Sequence, residues 1–321
     1  MSKDPKSPMQ EQDAPPPEHI LRTPPERFVG LPDYPFKPHY RYIGDGLRLH
    51  YVDEGPDTDT GVYTRTVLMM HGEPSWSYLY RHMIPLVTPR ARVIAPDLIG
   101  FGKSDKPAKQ SDYSYARHVA WMSEWFELMD LDDVVLVCQD WGGLIGLRLV
   151  AAYPERFAAV VVANTMLPVG GTFTPSDEFT AWQTFAAAAN EFPVGDIIQG
   201  ATTRTLTPDE VAAYNAPFPN GTYKAGARVF PSLVPTAKDD PENPAQLEAW
   251  KALEAFDKPF VTAFSDLDPI TRGGDKVFQS RVKGAANQPH TVLTGGHHFL
   301  QEDVPAELSA VVLGVLDRLD A

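Results

Sequence analysis

The sequence predicts an α/β fold in which a mostly parallel central sheet is flanked by helices and carries an inserted helical cap domain. Residues 134–137 and 158–164 are apolar runs of the kind expected for strands buried on both faces. Between them, the almost wholly apolar segment 142–152 ends at Tyr153-Pro154 and predicts a buried helix. This order of strand, helix and strand is the repeating unit of a parallel sheet.

The segments on either side of this unit continue the pattern. Alternating side chains around the turn at residues 44–46 predict a hairpin over residues 40–52. The other elements, in chain order, are predicted as strand 66–70, helix 77–87, strand 92–95, helix 115–128, strand 260–264, strand 291–293 and helix 306–319.

Composition divides the chain into three parts. Residues 1–25 are rich in proline and predict a flexible tail. Residues 167–252 are rich in proline, alanine, threonine and aromatic residues, and we expect them to form the helical cap. The main α/β domain is then built from residues 26–166 and 253–321.

Charge and cysteine content exclude several classes of partner. The 321 residues include 42 acidic and 28 basic side chains, a net charge of −14, which disfavours nucleic acid and anionic membrane surfaces. A single cysteine, Cys138, rules out an intramolecular disulfide and a thiolate metal cage. The polar start of the chain does not resemble a signal peptide, and no segment is typical of a membrane span. We therefore expect a cytoplasmic monomer.

Residues 137–143 join a predicted strand to a predicted helix and have the context of a nucleophile elbow, a turn that lifts one side chain above the sheet. Asp140 occupies the raised position. Gly142, Gly143 and Gly146 allow the helix to cross closely behind the strand. The helix dipole favours an ionised Asp140. The turn alone is equally consistent with an aspartate that caps an ordinary helix.

Two later loops supply the partners that such a nucleophile needs, in the chain order nucleophile, acid, base. Asp268 follows one predicted strand, and it is preferred over Asp266 because Ser-x-x-Asp-Pro has the usual spacing of the acid loop. His298 follows the last predicted strand, and it is preferred over His297 because the aromatic Phe299 comes directly after it.

A carboxylate nucleophile selects the chemistry. Attack by Asp140 on a saturated carbon gives an ester whose carbonyl carbon water can attack, whereas attack by serine would give an ether. His298, oriented by Asp268, would deprotonate that water. The backbone N–H groups of Glu73 and Trp141 are expected to form the oxyanion hole.

The leaving group can be a halide or the ring oxygen of an epoxide. A halide needs hydrogen-bond donors in a dry pocket, and the Trp141 indole is one candidate. An ionised Glu73 does not donate, so the second donor is sought in the cap, where Trp182 is a candidate although a lone tryptophan more often packs in the core. Phe179 is a candidate for the wall of an apolar pocket.

Two other functions remain open at this point. An epoxide hydrolase would use acidic hydroxyls, for which Tyr214 and Tyr223 of the cap are candidates. A non-catalytic relative would bind a small apolar ligand under the cap, but it would have no use for the three triad residue types.

At these residues the sequence resembles the haloalkane dehalogenase family, which has the α/β-hydrolase fold, and within it the subfamily with His-Gly-Glu-Pro in the oxyanion loop and a halide-binding tryptophan in the cap. The matching segments are residues 21–24, 31–36, 71–78, 97–107, 138–143, 179–182, 216–219 and 298–302.

This resemblance implies cofactor-free hydrolysis of a small haloalkane by water, giving an alcohol and a halide through an alkyl-aspartate ester. The roles that it implies are nucleophile Asp140, base His298, acid Asp268, oxyanion amides Glu73 and Trp141, and halide donors Trp141 and Trp182. His297 departs from the family pattern, in which a glycine commonly precedes the base.

Overall fold

A computed structural model describes residues 16–55, 65–172, 174–189 and 191–321. Residues 1–15 of the predicted tail lie outside this range. The rest of that tail contacts the folded body, since Ile20–Leu21 pairs antiparallel with Lys106–Pro107. Arg22 also donates two hydrogen bonds to the buried Asp105, at 2.8 and 2.9 Å. The start of the main domain predicted at residue 26 is therefore too late.

A mostly parallel sheet of eight strands forms the centre of the molecule, as predicted. The strands of the described residues are β1 (Ile20–Leu21), β2 (His39–Ile43), β3 (Leu47–Glu54), β4 (Thr66–Met70), β5 (Arg92–Pro96), β6 (Lys106–Pro107), β7 (Val134–Gln139), β8 (Phe157–Ala163), β9 (Phe260–Ser265) and β10 (Thr291–Leu293), of which β1 and β6 pair apart from the central sheet. The central sheet has the order β10-β9-β8-β7-β4-β5-β3-β2, and among these eight strands only β3 runs opposite to the others. The carboxyl ends of β7, β8, β9 and β10 therefore meet at one edge.

Helices cover this sheet and form the cap. They are α1 (Ile84–Val87), α2 (Tyr115–Leu128), α3 (Trp141–Ala152), α4 (Asp177–Ala188), α5 (Val194–Gly200), α6 (Pro208–Asn215), α7 (Ala225–Val229), α8 (Asn243–Ala255), α9 (Gly274–Arg281), α10 (Leu300–Asp303) and α11 (Pro305–Leu319). The single helix predicted over residues 77–87 is wrong. A 3-10 turn, Ser77–Tyr80, precedes the short α1 because the Pro85 ring would clash with the carbonyl of Arg81 in a continuous helix.

The insertion after β8 ends earlier than the sequence indicates. Helix α8 packs against α3 of the main domain, so a boundary at residue 252 would cut through it. Trp250 and Gln246 of α8 donate hydrogen bonds to the carbonyls of Leu167 and Pro168, at 2.8 and 3.0 Å. Helix α8 thus fastens the start of the insertion to the main domain, and the cap proper, residues 167–242, contains α4 to α7.

Burial follows the apolar runs. Every residue of β4, β7 and β8 is buried, as the lack of polar alternation predicted for β7 and β8. The side chains of Trp76, Trp121, Trp125 and Trp250 are all buried. Across the residues described, no helix is both long enough and apolar enough to cross a lipid bilayer.

Candidate active site

Asp140 lies between β7 and α3 in a backbone conformation that few residues other than glycine adopt, with φ 50° and ψ −126°. Its neighbours at the end of β8 hold this conformation. The Asp140 N–H donates to the carbonyl of Asn164 at 3.0 Å, and the Thr165 hydroxyl donates to the Asp140 carbonyl at 2.7 Å. The Asp140 side chain does not cap α3, so the alternative of an ordinary capping aspartate is wrong.

Glycines around the turn are required by close backbone approach. A Cβ on Gly142 would lie 2.0 Å from the Met70 carbonyl oxygen, and one on Gly143 would lie 2.0 Å from the Thr165 hydroxyl. A Cβ on Gly72 would lie 2.5 Å from that of Asp140. The glycines of α3 therefore let this helix pass close behind the sheet, as predicted for Gly142 and Gly143, and Gly72 lets the oxyanion loop approach Asp140.

The structure brings together the three residues predicted as nucleophile, base and acid. His298 Nε2 lies 3.7 Å from Asp140 Oδ2, and His298 Nδ1 lies 3.2 Å from Asp268 Oδ1. Asp268 is buried and also accepts hydrogen bonds from the Ile270 N–H, at 2.9 Å, and from the Thr271 hydroxyl. These contacts fix its carboxylate against the imidazole.

The neighbouring candidates have other partners. Asp266 is exposed, and its Oδ1 accepts a hydrogen bond from the Gly295 N–H at 2.8 Å. His297 accepts a hydrogen bond from the backbone N–H of His298 at 2.8 Å, although its side chain also lines the cavity. Among the described residues, it is therefore His298 that faces Asp140 and Asp268 that contacts His298, rather than His297 and Asp266.

The charges of the site depend on one another. Burial by itself would lower the pKa of His298, but the carboxylates of Asp268 and Asp140 raise it to about 10. Burial would raise the pKa of Asp268, whereas the imidazole and the hydrogen bonds from Thr271 and Ile270 lower it to about 2. At neutral pH the site therefore holds an imidazolium between two carboxylates.

The oxyanion loop contacts the nucleophile directly. The Glu73 N–H donates to Asp140 Oδ1 at 2.7 Å. His71 holds the loop, because its Nδ1 lies 2.9 Å from the Gly72 carbonyl and its Nε2 accepts from the Leu98 N–H at 2.9 Å.

The Glu73 side chain differs from its expected state. It is only 4% exposed, and burial together with the adjacent Asp140 charge raises the pKa of its carboxyl well above the usual range. Both effects favour the protonated carboxyl over the ionised form assumed in the sequence analysis, and they outweigh the nearby His298 imidazolium, which acts to lower the pKa of Glu73. A neutral Glu73 can donate one hydrogen bond.

A cavity of about 320 Å³ lies above Asp140 and is lined by residues of the main domain and of the cap. The predicted residues Glu73, Trp141, Phe179, Trp182 and His298 line it, together with apolar side chains. Phe218 and Phe230 are buried aromatic residues that are not among the described residues lining this cavity.

The two tryptophans are held differently. Trp141 is buried, with the rings of Tyr115 and Phe230 edge-on to its indole at centroid distances of 5.2 and 4.4 Å. Trp182 of α4 is partly buried, and its ring stacks on Phe185 at 5.8 Å. One indole is thus fixed by the core, whereas the other depends on the cap.

The tyrosines of the epoxide alternative do not reach this cavity. The Tyr214 hydroxyl donates to the buried carboxylate of Glu302. Among the described residues that line the cavity there is no tyrosine.

In a polar cluster beside Tyr214, both carboxylates already have cationic partners. His82, Glu210 and Glu302 place ligand atoms within 4.8 Å of one another. Both carboxylates are paired with Arg81 and with Arg204, however, so the cluster is already neutralised.

Asn164 is a site residue that sequence reasoning treated only as the end of a strand. Its side-chain amide donates to Ser265 Oγ at 2.7 Å and to the carbonyls of His297 and His298 at 2.9 and 3.1 Å. The available signal was a polar residue that directly follows the apolar run of β8, beside the elbow strand.

Comparison with known proteins identifies similar chains. A model of the alpha/beta hydrolase fold matches residues 65–303. The haloalkane dehalogenase of Psychrobacter cryohalolentis is 52% identical over 290 residues, which is 88% of this chain and 93% of that protein. The haloalkane dehalogenase of Mycolicibacterium paratuberculosis is 48% identical over 92% of this chain and 97% of its own.

A solved structure agrees with these relatives. The haloalkane dehalogenase DpaA of Paraglaciecola agarilytica, described as tetrameric, has a TM-score of 0.85 and 35% sequence identity. The match covers 92% of this chain and 98% of that one.

The two carboxylates beside His298 predict an unusual titration. The imidazole should titrate near the value of about 10 in the unaltered protein. Asp140→Asn removes one negative charge next to Nε2, so the midpoint should fall by roughly one to three pH units. NMR titration of the imidazole signals measures both values. A midpoint near the ordinary histidine value in the unaltered protein would contradict this charge arrangement.

Proposed function

We infer that this chain, which belongs to the haloalkane dehalogenase family of α/β hydrolases, cleaves carbon–halogen bonds of small haloalkanes through its Asp140 carboxylate. The observation that carries this proposal is the position of Asp140. It stands on a sharp turn beneath an apolar cavity, with the Glu73 N–H on one carboxylate oxygen and His298 facing the other.

In the first step, Asp140 attacks the carbon that bears the halogen. Oδ1 accepts the Glu73 N–H, which leaves Oδ2 as the nucleophilic oxygen. The bond from Oδ2 to carbon forms as the carbon–halogen bond breaks, and the halide leaves with the bonding electron pair. We assign the indole N–H groups of Trp141 and Trp182 to that halide, because both side chains line the cavity.

In the second step, water hydrolyses the alkyl-aspartate ester. Esterification removes the negative charge of Asp140, so the pKa of His298 falls and the imidazole becomes available as a base. It takes a proton from water as the oxygen attacks the Asp140 carbonyl carbon, while Asp268 stabilises the imidazolium. The N–H groups of Glu73 and Trp141 are the donors for the oxyanion. As the tetrahedral intermediate collapses, the bond from the Asp140 Cγ to the alkyl oxygen breaks, that oxygen takes the proton from the His298 imidazolium, and the alcohol departs.

The epoxide alternative has weaker support, because its candidate hydroxyls lie outside the cavity wall. The neutral carboxyl of Glu73 is a donor in that wall, and it makes an epoxide arm worth including in the assay.

Location and assembly remain predictions. We propose a cytoplasmic monomer, and sedimentation would distinguish it from a tetramer such as that described for DpaA.

Bromide release from 1-bromobutane should depend on Asp140. Asp140→Asn should lower the rate by roughly 10⁴-fold or more, since an amide is not a nucleophile at this centre. Asp266→Asn makes the same change of charge nearby and should leave the rate unchanged. Bromide and, with styrene oxide, diol are measured in parallel. Diol without bromide would favour the epoxide reaction, and neither product would favour a binding protein.

Trp182 should contribute to halide affinity. Trp182→Phe removes one N–H donor to an anion, so about tenfold more bromide should be needed for half-maximal quenching of tryptophan fluorescence. Trp121→Phe, a buried tryptophan outside the cavity, is the matched control and should keep the midpoint. An unchanged midpoint in Trp182→Phe would remove Trp182 from the halide site.

A further inference from the structure

The carboxylate of Asp303 connects the cap to the loop that carries His298. Asp303 is the last residue of α10, and the preceding loop, residues 294–299, is called the base loop here. Asp303 Oδ1 accepts the backbone N–H groups of Thr203 and Arg204, at 2.8 and 3.1 Å. Oδ2 accepts the backbone N–H of His297, at 2.8 Å. One side chain thus binds both domains next to the catalytic base.

Two further bonds join the same segments. The Phe299 N–H donates to the Ala201 carbonyl at 3.1 Å, and the Thr203 hydroxyl donates to the Gly295 carbonyl at 2.8 Å. Ala201 also lines the cavity above Asp140. The cap segment 201–204 therefore contacts the substrate space on one side and the base loop on the other.

A buried ion cluster fixes the helix from which Asp303 projects. Glu302 is buried and accepts two hydrogen bonds from Arg81 of the main domain, at 2.5 and 3.0 Å. From the cap, Arg204 and Tyr214 also donate to it. Replacing Glu302 would leave the buried Arg81 cation short of a partner and would test stability rather than position. Asp303, which is half-buried, allows a cleaner test.

We propose that Asp303 is a positioning residue for the dehalogenase reaction, which holds cap segment 201–204 and the base loop in one arrangement and so keeps His298 aligned with Asp140. The inference rests on the proposed function. Its effect belongs to the second step, because ester hydrolysis requires His298 to hold a water against the Asp140 carbonyl carbon, whereas displacement of halide does not.

Asp303→Asn separates the two connections with little change of shape. An amide has one acceptor oxygen, and its nitrogen is a donor that cannot bind a backbone N–H. In either orientation the variant keeps the bonds to the cap or the bond to His297, but not both. Asp266→Asn is the matched control, because Asp266 accepts a single N–H from the same base loop and an amide oxygen can keep that bond.

The experiment is rapid-quench kinetics with excess 1-bromobutane, in which bromide reports alkylation and mass spectrometry of the Asp140 peptide reports the ester. Asp303→Asn should form the ester within about twofold of the normal rate and hydrolyse it about tenfold more slowly, so that the adduct accumulates. Asp266→Asn should match the unaltered protein in both steps. Asp303→Ser leaves one hydroxyl oxygen, which likewise cannot accept from both segments and should slow hydrolysis in the same direction, so it keeps the test available if Asp303→Asn folds poorly.

Hydrolysis at the normal rate in Asp303→Asn, or an equal slowing of both steps, would overturn the positioning role. If Asp303→Asn does not fold, normal hydrolysis in Asp303→Ser would overturn it instead. No bromide from the unaltered protein would contradict the proposed function, and the present inference would fall with it.

Discussion

The whole site depends on the turn at Asp140, where a residue with a side chain adopts a positive φ between a buried strand and a buried helix. Such a conformation costs on the order of 1–3 kcal/mol and persists only where the surroundings hold it. Here the end of β8 supplies those restraints through Asn164 and Thr165, and Gly142 and Gly143 let α3 lie close behind the sheet. Packing of the core thereby sets the direction of one carboxylate.

The Asp140 carboxylate is one of several interacting charges that the strand ends bring together at this edge of the sheet. The Asp140 and Asp268 carboxylates raise the pKa of the His298 imidazole that lies between them, while burial and Asp140 raise the pKa of Glu73 and so disfavour a further negative charge. In the proposed reaction a haloalkane alkylates Asp140 and the negative charge moves to the departing halide, so the net charge of the site stays constant. The indole N–H groups and the backbone N–H groups can therefore be in place before the reaction begins. Each faces a position where negative charge will develop, on the halide or on the oxyanion.

Local sequence signals predicted most of the scaffold and its central residues. Strand β4 and helix α2 match their predicted bounds, since β4 is a buried apolar run and the N-cap Ser114 marks the start of α2. The elbow and the two later loops were recognisable because each functional residue type directly follows a strand. The positions of Asp268 and His298 beside Asp140 then followed from the meeting of strand ends at one edge.

Features that depend on tertiary contacts were not predictable in this way. The protonation of Glu73 requires knowledge of its burial and of the distance to Asp140, and the role of Asn164 requires knowledge of which loop lies across from it. The end of the cap was misplaced because composition does not reveal that α8 packs on α3. The break within residues 77–87 was signalled by Pro85, but the apolar pattern on either side obscured it.

The central claim is that Asp140 becomes an ester during turnover, and a single turnover in ¹⁸O-labelled water tests it most directly. With protein in excess over 1-bromobutane, the alcohol oxygen comes from Asp140, so the account predicts unlabelled butanol and one ¹⁸O atom in the peptide that contains Asp140. Labelled butanol together with an unlabelled Asp140 peptide would show direct attack by water on the substrate and would contradict the account.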